Sequence, residues 1–180
     1  IGDIITKTND VFYKLEEYKS KLENQIPRTK EKSLKHFQLL QNLINEYEVY
    51  THLKKCDESF KPALHTYLNI KDYSTKITNK ALLFKKYDEN SNLIGLIAIY
   101  DKKPVKHGYL TNFSIDPMYT GKGVGSSLLD ECIEYFKLLD YNLIRLEVFN
   151  VNDRAIRFYE KYGFEMVNQN ENKTELKLKL

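Results

Sequence analysis

Apolar and polar positions alternate along this chain in two regimes: a long N-terminal stretch of helical period, then strands and helices in turn. Between residues 9 and 26, apolar side chains at Val11, Leu15, Tyr18, Leu22 and Ile26 recur at near-helical spacing, predicting a helix capped by Asn9 and stopped by Pro27. A second helix is predicted over roughly 34–54, with Phe37, Leu40, Ile44 and Tyr47 on one face. Residues 60–81 are rich in Tyr and Lys and give only short helical signals, at Ala63-Leu64 and Tyr67-Leu68. Strand-like runs at 82–87 and 93–100 flank a polar turn at 88–92 and predict a hairpin. A strand over 108–115 leads through Asp116-Pro117 into a glycine loop, followed by a helix over 126–138. Then come a strand at 143–149, a helix at 153–162 and a strand at 164–167. The tail 174–180 alternates strictly, placing Leu176, Leu178 and Leu180 inward. Strands in runs, joined partly by hairpins and partly by helical crossovers, make a three-layer mixed α/β fold.

Candidate chemistry concentrates in the run Thr111-Asn-Phe-Ser-Ile-Asp-Pro-Met-Tyr-Thr-Gly-Lys-Gly-Val-Gly125. Glycine lets the backbone bend and lets a ligand approach the main chain. The loop opens into a helix, so unpaired N–H groups and the positive end of the helix dipole face it, as suits a phosphate or pyrophosphate. The spacing fits neither a Walker loop, because Gly121-Lys122 is followed by Gly123, nor a dinucleotide fingerprint, whose last glycine would fall on Ser126.

Residues 120–125 do occupy the six positions of Gln/Arg-x-x-Gly-x-Gly/Ala, and the run resembles the acyl-CoA loop of the GCN5-related N-acetyltransferases (GNAT). Thr120 departs from the usual Arg or Gln, which removes one side-chain phosphate contact and leaves the backbone cradle. A second stretch resembles the same family's next strand and helix: Leu143-Ile-Arg-Leu-Glu-Val-Phe-Asn-Val-Asn152, Ala155-Ile156 and Phe158-Tyr-Glu-Lys-Tyr-Gly-Phe164. The resemblance runs from about Leu82 to the C-terminus and more weakly back towards Leu34.

It implies a mixed, mostly antiparallel sheet of about six or seven strands flanked by helices, with an extra N-terminal helix. The corresponding organisation is a helical extension over 1–32 and an acetyltransferase domain over 33–180. It also implies acetyl-CoA as co-substrate. Phe113, Ser114 and Ile115 would offer main-chain hydrogen bonds to pantetheine, with the Ile115 N–H near the thioester oxygen. Lys122, Gly123, Val124, Gly125, Ser126 and Ser127 would hold the pyrophosphate, with Thr120 and Gly121 also in the co-substrate site, although Lys122 reads equally as a solvated loop lysine. Asn152 would reach the pantetheine arm and also suits the N-cap of the following helix. Tyr159 would be the general acid that protonates the departing thiolate.

The base is open at this stage. The strand 108–115 offers Thr111, Asn112 and Ser114 but no carboxylate. Glu147 lies twelve residues before Tyr159, the Glu–Tyr spacing of the acetyltransferases that modify ribosomal-protein N-termini. A water chain from bulk is the alternative, and Asp116 and Glu165 rank below both.

Composition narrows the remaining classes. With 180 residues, 42 % hydrophobic and 29 % charged, the chain can bury the core of one ordinary domain. It has no apolar run of membrane-spanning length and no signal-peptide pattern at Ile1-Gly-Asp-Ile-Ile, so a cytoplasmic protein is expected. The net charge of +3 is spread out, with basic and acidic residues alternating over Lys14–Lys19, which speaks against a nucleic-acid partner. Cys56 and Cys132 read as reduced thiols, and His36, His52, His65 and His107 lack ligand spacing, so no metal is expected. The leading reading is acetyl transfer to a primary amine of a small molecule in a ternary complex. A peptide N-terminus or lysine is the alternative acceptor, and a non-catalytic acyl-CoA-binding module is the alternative class. A monomer and a homodimer are both compatible.

Overall fold

The computed structural model describes residues 27–180, with side chains from Gln38 onward; the helix expected over 9–26 lies outside them. The compact unit that carries the site is Glu46–Leu180. The described elements begin with α1 (Pro27–Cys56), of which this unit holds the part from Glu46, α2 (Ile70–Lys80), β1 (Leu82–Tyr87), β2 (Leu93–Lys102) and β3 (His107–Ile115). They continue with α3 (Val124–Leu138), β4 (Leu143–Phe149), α4 (Asp153–Lys161), β5 (Glu165–Gln169) and β6 (Lys173–Lys179). Among the described residues no helix is long and apolar enough to cross a membrane.

Six strands form one sheet in the order β1-β2-β3-β4-β6-β5. All neighbours are antiparallel except β3 and β4, which the crossover helix α3 connects in parallel. This is the mixed, mostly antiparallel sheet expected from the sequence. β2 is buried along Leu93–Ile99 because helices cover both of its faces. Ile97 and Ile99 meet the stripe Leu128, Leu129, Cys132, Ile133 and Phe136 of α3, whereas Leu96 and Ala98 meet Val49 and Leu53 of α1 and Ile70 and Ile77 of α2. Each such fully buried aliphatic side chain is worth about 1.5–3 kcal/mol.

The start of the second helix, its buried face and the segment after it differ from the expectation. The second helix, expected from about residue 34, is helical from Pro27 onward. Residues 27–33 lack apolar period but are rich in Arg, Lys and Glu, which favour helix. Tyr47, expected on a common face with Ile44, is exposed; the buried face of α1 in this unit is Val49, His52, Leu53 and Cys56. Finally, α2 was not legible in the Tyr- and Lys-rich segment. Its signals are the Asn69 cap, whose side chain accepts from the Asp72 N–H, and Ile70, Tyr73 and Ile77 at helical spacing.

Two irregularities in the sheet prepare the site. The β2–β3 register shifts between Ala98 and Ile99, so that Thr111 bulges and the side-chain alternation of β3 is reset. Before the bulge Leu110 joins the α3 side; after it Phe113 and Ile115 do, and Asn112 and Ser114 turn to the α1 side. The parallel β3–β4 ladder stops at Leu110–Leu146 although both strands run on. They splay, and a gap opens between 111–115 and 147–149.

Candidate active site

A cavity of about 640 Å³ lies along this gap. Its lining joins Phe113–Ile115 of β3, the glycine loop, Glu147–Phe149 of β4, and Asn152, Phe158 and Tyr159 at α4.

The strand edge follows from hydrogen-bond parity. The Asp116 N–H donates to the Ile94 carbonyl at 2.9 Å, so Ile94 and Asp116 form the hydrogen-bonded pair. The pair Gly95–Ile115 is then non-hydrogen-bonded, and the N–H groups of Ile115 and Phe113 point away from β2, into the gap. Beyond them Asp116, 1 % exposed, holds the turn: Oδ1 accepts from the Met118 N–H at 3.0 Å and Oδ2 meets Lys55 Nζ at 2.6 Å.

The loop then reverses on Gly121 (φ +81°) and Gly123 (φ +82°), both left-handed, a region costly for any residue with a side chain. A Cβ at either would meet nothing within 4 Å, so the loop's main chain faces open space. Gly123 occupies the N-cap position of α3 without a capping side chain, leaving the first N–H groups of the helix for an anion.

Not every expected loop residue faces the cavity. Thr120, Gly121, Gly123, Gly125 and Ser126 line it. Lys122 stands over the Tyr119 ring at 5.1 Å, and Ser127 Oγ lies 3.3 Å from Lys86 Nζ. Val124 approaches Gly95 beneath the loop.

Asn152 caps α4, its side-chain oxygen accepting from the Ala155 N–H at 3.2 Å. The cap aims an amphipathic turn inward, burying Tyr159 among Phe113, Phe158 and Phe164 at ring separations of 6.2, 5.7 and 5.3 Å. Burial pushes the Tyr159 phenol well above its ordinary pKa, with the Cys132 thiol adding to the effect. Glu147 is the one carboxylate among the lining residues, and Lys173 holds its Oε2 at 2.9 Å. Asp116 and Glu165 are not part of the lining.

Sequence reasoning missed His52. Its Nδ1–H donates to the Leu93 carbonyl at 3.1 Å, and its Nε2 lies 3.0 Å from Ser114 Oγ and 3.5 Å from Cys56 Sγ. The Ser114 hydroxyl also reaches Asn112 Oδ1 at 2.9 Å. Burial holds the imidazole below its ordinary pKa and pushes the Cys56 thiol up to about 12. This network ties α1 to β3 at the gap. The available signal was a histidine on the apolar stripe Val49, Leu53 and Cys56. Ser114 therefore directs its side chain to this network, while its main chain borders the cavity.

Known proteins share this architecture. The crystal structure of the ribosomal-protein-S18-alanine N-acetyltransferase from Escherichia coli superposes with a TM-score of 0.61 at 19 % identity, over 74 % of this chain and 86 % of that one. The PaiA N-acetyltransferase from Thermoplasma acidophilum, solved in complex with coenzyme A, gives 0.61 at 20 % identity, over 76 % and 95 %. These likenesses show the fold.

In sequence, the chain is 36 % identical over 84 residues to mycothiol acetyltransferase of Propionibacterium freudenreichii, covering 44 % of this chain and 26 % of that protein. It is 37 % identical over 76 residues to spermine/spermidine N(1)-acetyltransferase of Bacillus subtilis, covering 41 % and 49 %. The match thus spans about a quarter of the first relative's length and about half of the second's. The model of the acetyltransferase (GNAT) family matches residues 40–164, a span that contains the splayed strands, the glycine loop and Tyr159, and the chain belongs to that family.

Proposed function

We propose that this chain is an acetyl-CoA-dependent N-acetyltransferase that acetylates a primary amine directly, in a ternary complex. The observation that carries the reading is one cavity bringing together the free β3 edge, the open glycine loop, Glu147 and Tyr159. Bound acetyl-CoA supplies a thioester carbonyl for the amine to attack.

The residues divide the remaining work. The N–H groups along Gly121–Ser126 take the pyrophosphate, and Asn152 borders the arm that joins it to the thioester. The Ile115 N–H donates to the carbonyl oxygen as negative charge builds there, already aimed and without reorganisation. An alkylammonium has a pKa near ~10, so the amine must give up a proton before it attacks. Glu147 receives that proton, through Oε1 directly or through one water, since Oε2 is held by Lys173. The Tyr159 hydroxyl, kept protonated by its burial, gives its proton to the sulfur as the C–S bond breaks, and the nitrogen of the collapsing intermediate gives up its second proton, which restores the phenol. Cys132 is packed in the core, and Cys56, which borders the cavity, has its thiol buried beside His52 and its pKa pushed up to about 12, so neither is a ready nucleophile for an acyl-cysteine step.

The test is acetyl-CoA consumption with thiol release against a panel of monoamines, amino sugars, polyamines and short peptides, beside calorimetry of CoA binding. Amine-dependent release is expected. Tight CoA binding with no turnover on any amine would assign the chain to acyl-CoA binding instead.

A further inference from the structure

The acceptor half of the cavity has a composition that restricts the amine. The rings of Tyr67 and Phe149 meet edge to face at 5.0 Å, and Phe60, Leu68, Tyr73 and Tyr109 continue the wall. Tyr73 is fixed there because its hydroxyl donates to the carbonyl of the bulged Thr111 at 2.7 Å.

Charge points the same way. The charged residues in the whole lining are Lys61, Arg154 and Lys173 against Glu147, so three cations face one carboxylate. That carboxylate already holds Lys173, whose Nζ also covers the Phe149 ring at 5.1 Å. The Phe149 face is therefore already occupied by a lysine and closed to a second ammonium. Two further acids whose charges reach the wall are outside the lining and already paired: Asp57, beside Tyr67, accepts from the His65 N–H at 3.0 Å and Nδ1 at 2.9 Å, and Glu175, beside Tyr109, holds Arg145 at 2.8 Å.

We infer that the acceptor is a primary monoamine whose body is aromatic or apolar, of the arylalkylamine kind, with no positive charge besides the amine that is acetylated. The inference rests on the acetyltransferase reading. The reacting amine lies at Glu147 and the ring enters the wall of Tyr67 and Phe149. A polyamine would set its remaining ammonium groups among rings and lysines without a carboxylate to pair them, which burial penalises.

The experiment measures kcat/KM for 2-phenylethylamine, tyramine and spermidine at saturating acetyl-CoA, with calorimetry of CoA binding alongside. The arylalkylamines are expected to exceed spermidine by at least about 100-fold. Phe149→Ala should raise KM for 2-phenylethylamine about tenfold. Lys61→Glu, which removes one cation and adds one carboxylate, should narrow the preference over spermidine about tenfold. Spermidine turning over as well as the arylalkylamines overturns the inference and leaves the acetyltransferase reading standing. So does turnover of other amines with none of the arylalkylamines, whereas CoA binding with no turnover of any amine overturns both readings. Failure to bind CoA overturns both.

Discussion

Replacing Tyr159 by Phe removes one oxygen and keeps the ring, so the variant separates chemistry from packing. The phenyl ring retains its contacts with Phe113, Phe158 and Phe164. Only burial and the Cys132 thiol act on the hydroxyl's ionisation, and no hydrogen bond to a described residue is lost. The fold should therefore change in stability by no more than about 0.5 kcal/mol, as for a substitution that breaks no polar pair. The catalytic cost is larger. General acids contribute about 10²–10⁴ in rate, and a thiolate with a pKa near ~8.5 is already a fair leaving group, so the lower end applies. We expect kcat at pH 7 to fall about 100-fold, or roughly 2.7 kcal/mol in barrier, with CoA affinity within about twofold. Because burial raises the phenol pKa, the hydroxyl stays protonated through the usual assay range, and the deficit should be constant from about pH 6 to 9. A disulfide reagent that reports free CoA is suitable, since Cys56 and Cys132 are buried thiols with pKa pushed to about 12. A variant that keeps more than half the wild-type kcat refutes the acid role; a large fall in Tm refutes the packing argument.

Glu147→Gln should lower kcat/KM about 100-fold at neutral pH and recover part of it where the amine deprotonates unaided; full activity at pH 7 would pass the proton to a water chain. Gly123→Ala forces a side chain into left-handed backbone, a strain of roughly 1–2 kcal/mol, and should weaken CoA binding about tenfold, measured by calorimetry; an unchanged Kd would show that the loop does not hold the co-substrate in this shape. His52 has its pKa depressed by burial below the unfolded value of 6.5, so between the two values the unfolded chain binds more protons. Stability should therefore decline as pH falls from about 7 towards 5, and denaturant titrations of His52→Gln should show a shallower decline than wild type. Equal slopes would mean that His52 is not neutral in the fold.

Much of the architecture was legible because it depends on local order. The strand over 143–149 has the limits read for it in the sequence, and the glycine loop, the Asn152 cap and the buried stripe of α3 each follow from neighbours a few residues apart. The missed helix α2 had local signals too, Asn69 and the spacing of Ile70, Tyr73 and Ile77, but weak ones among polar residues. His52 shows the limit of local reasoning. Its partners, Leu93 and Ser114, lie 41 and 62 residues away, so no window along the chain contains them.

The sequence by itself determined the order of the strands, the glycine loop that opens into α3 and the family, since each resides in contiguous residues. Only the tertiary structure decided what faces the cavity. The bulge at Thr111 resets which β3 side chains point to which side, and the early end of the β3–β4 ladder opens the gap; both are properties of strand pairing. The same holds for Glu147. Directly opposite it on β6 stands Glu175, yet its carboxylate pairs diagonally with Lys173 while Glu175 turns to Arg145 at 2.8 Å. Charge partners across a sheet are chosen by register, and register is fixed only when the whole sheet assembles.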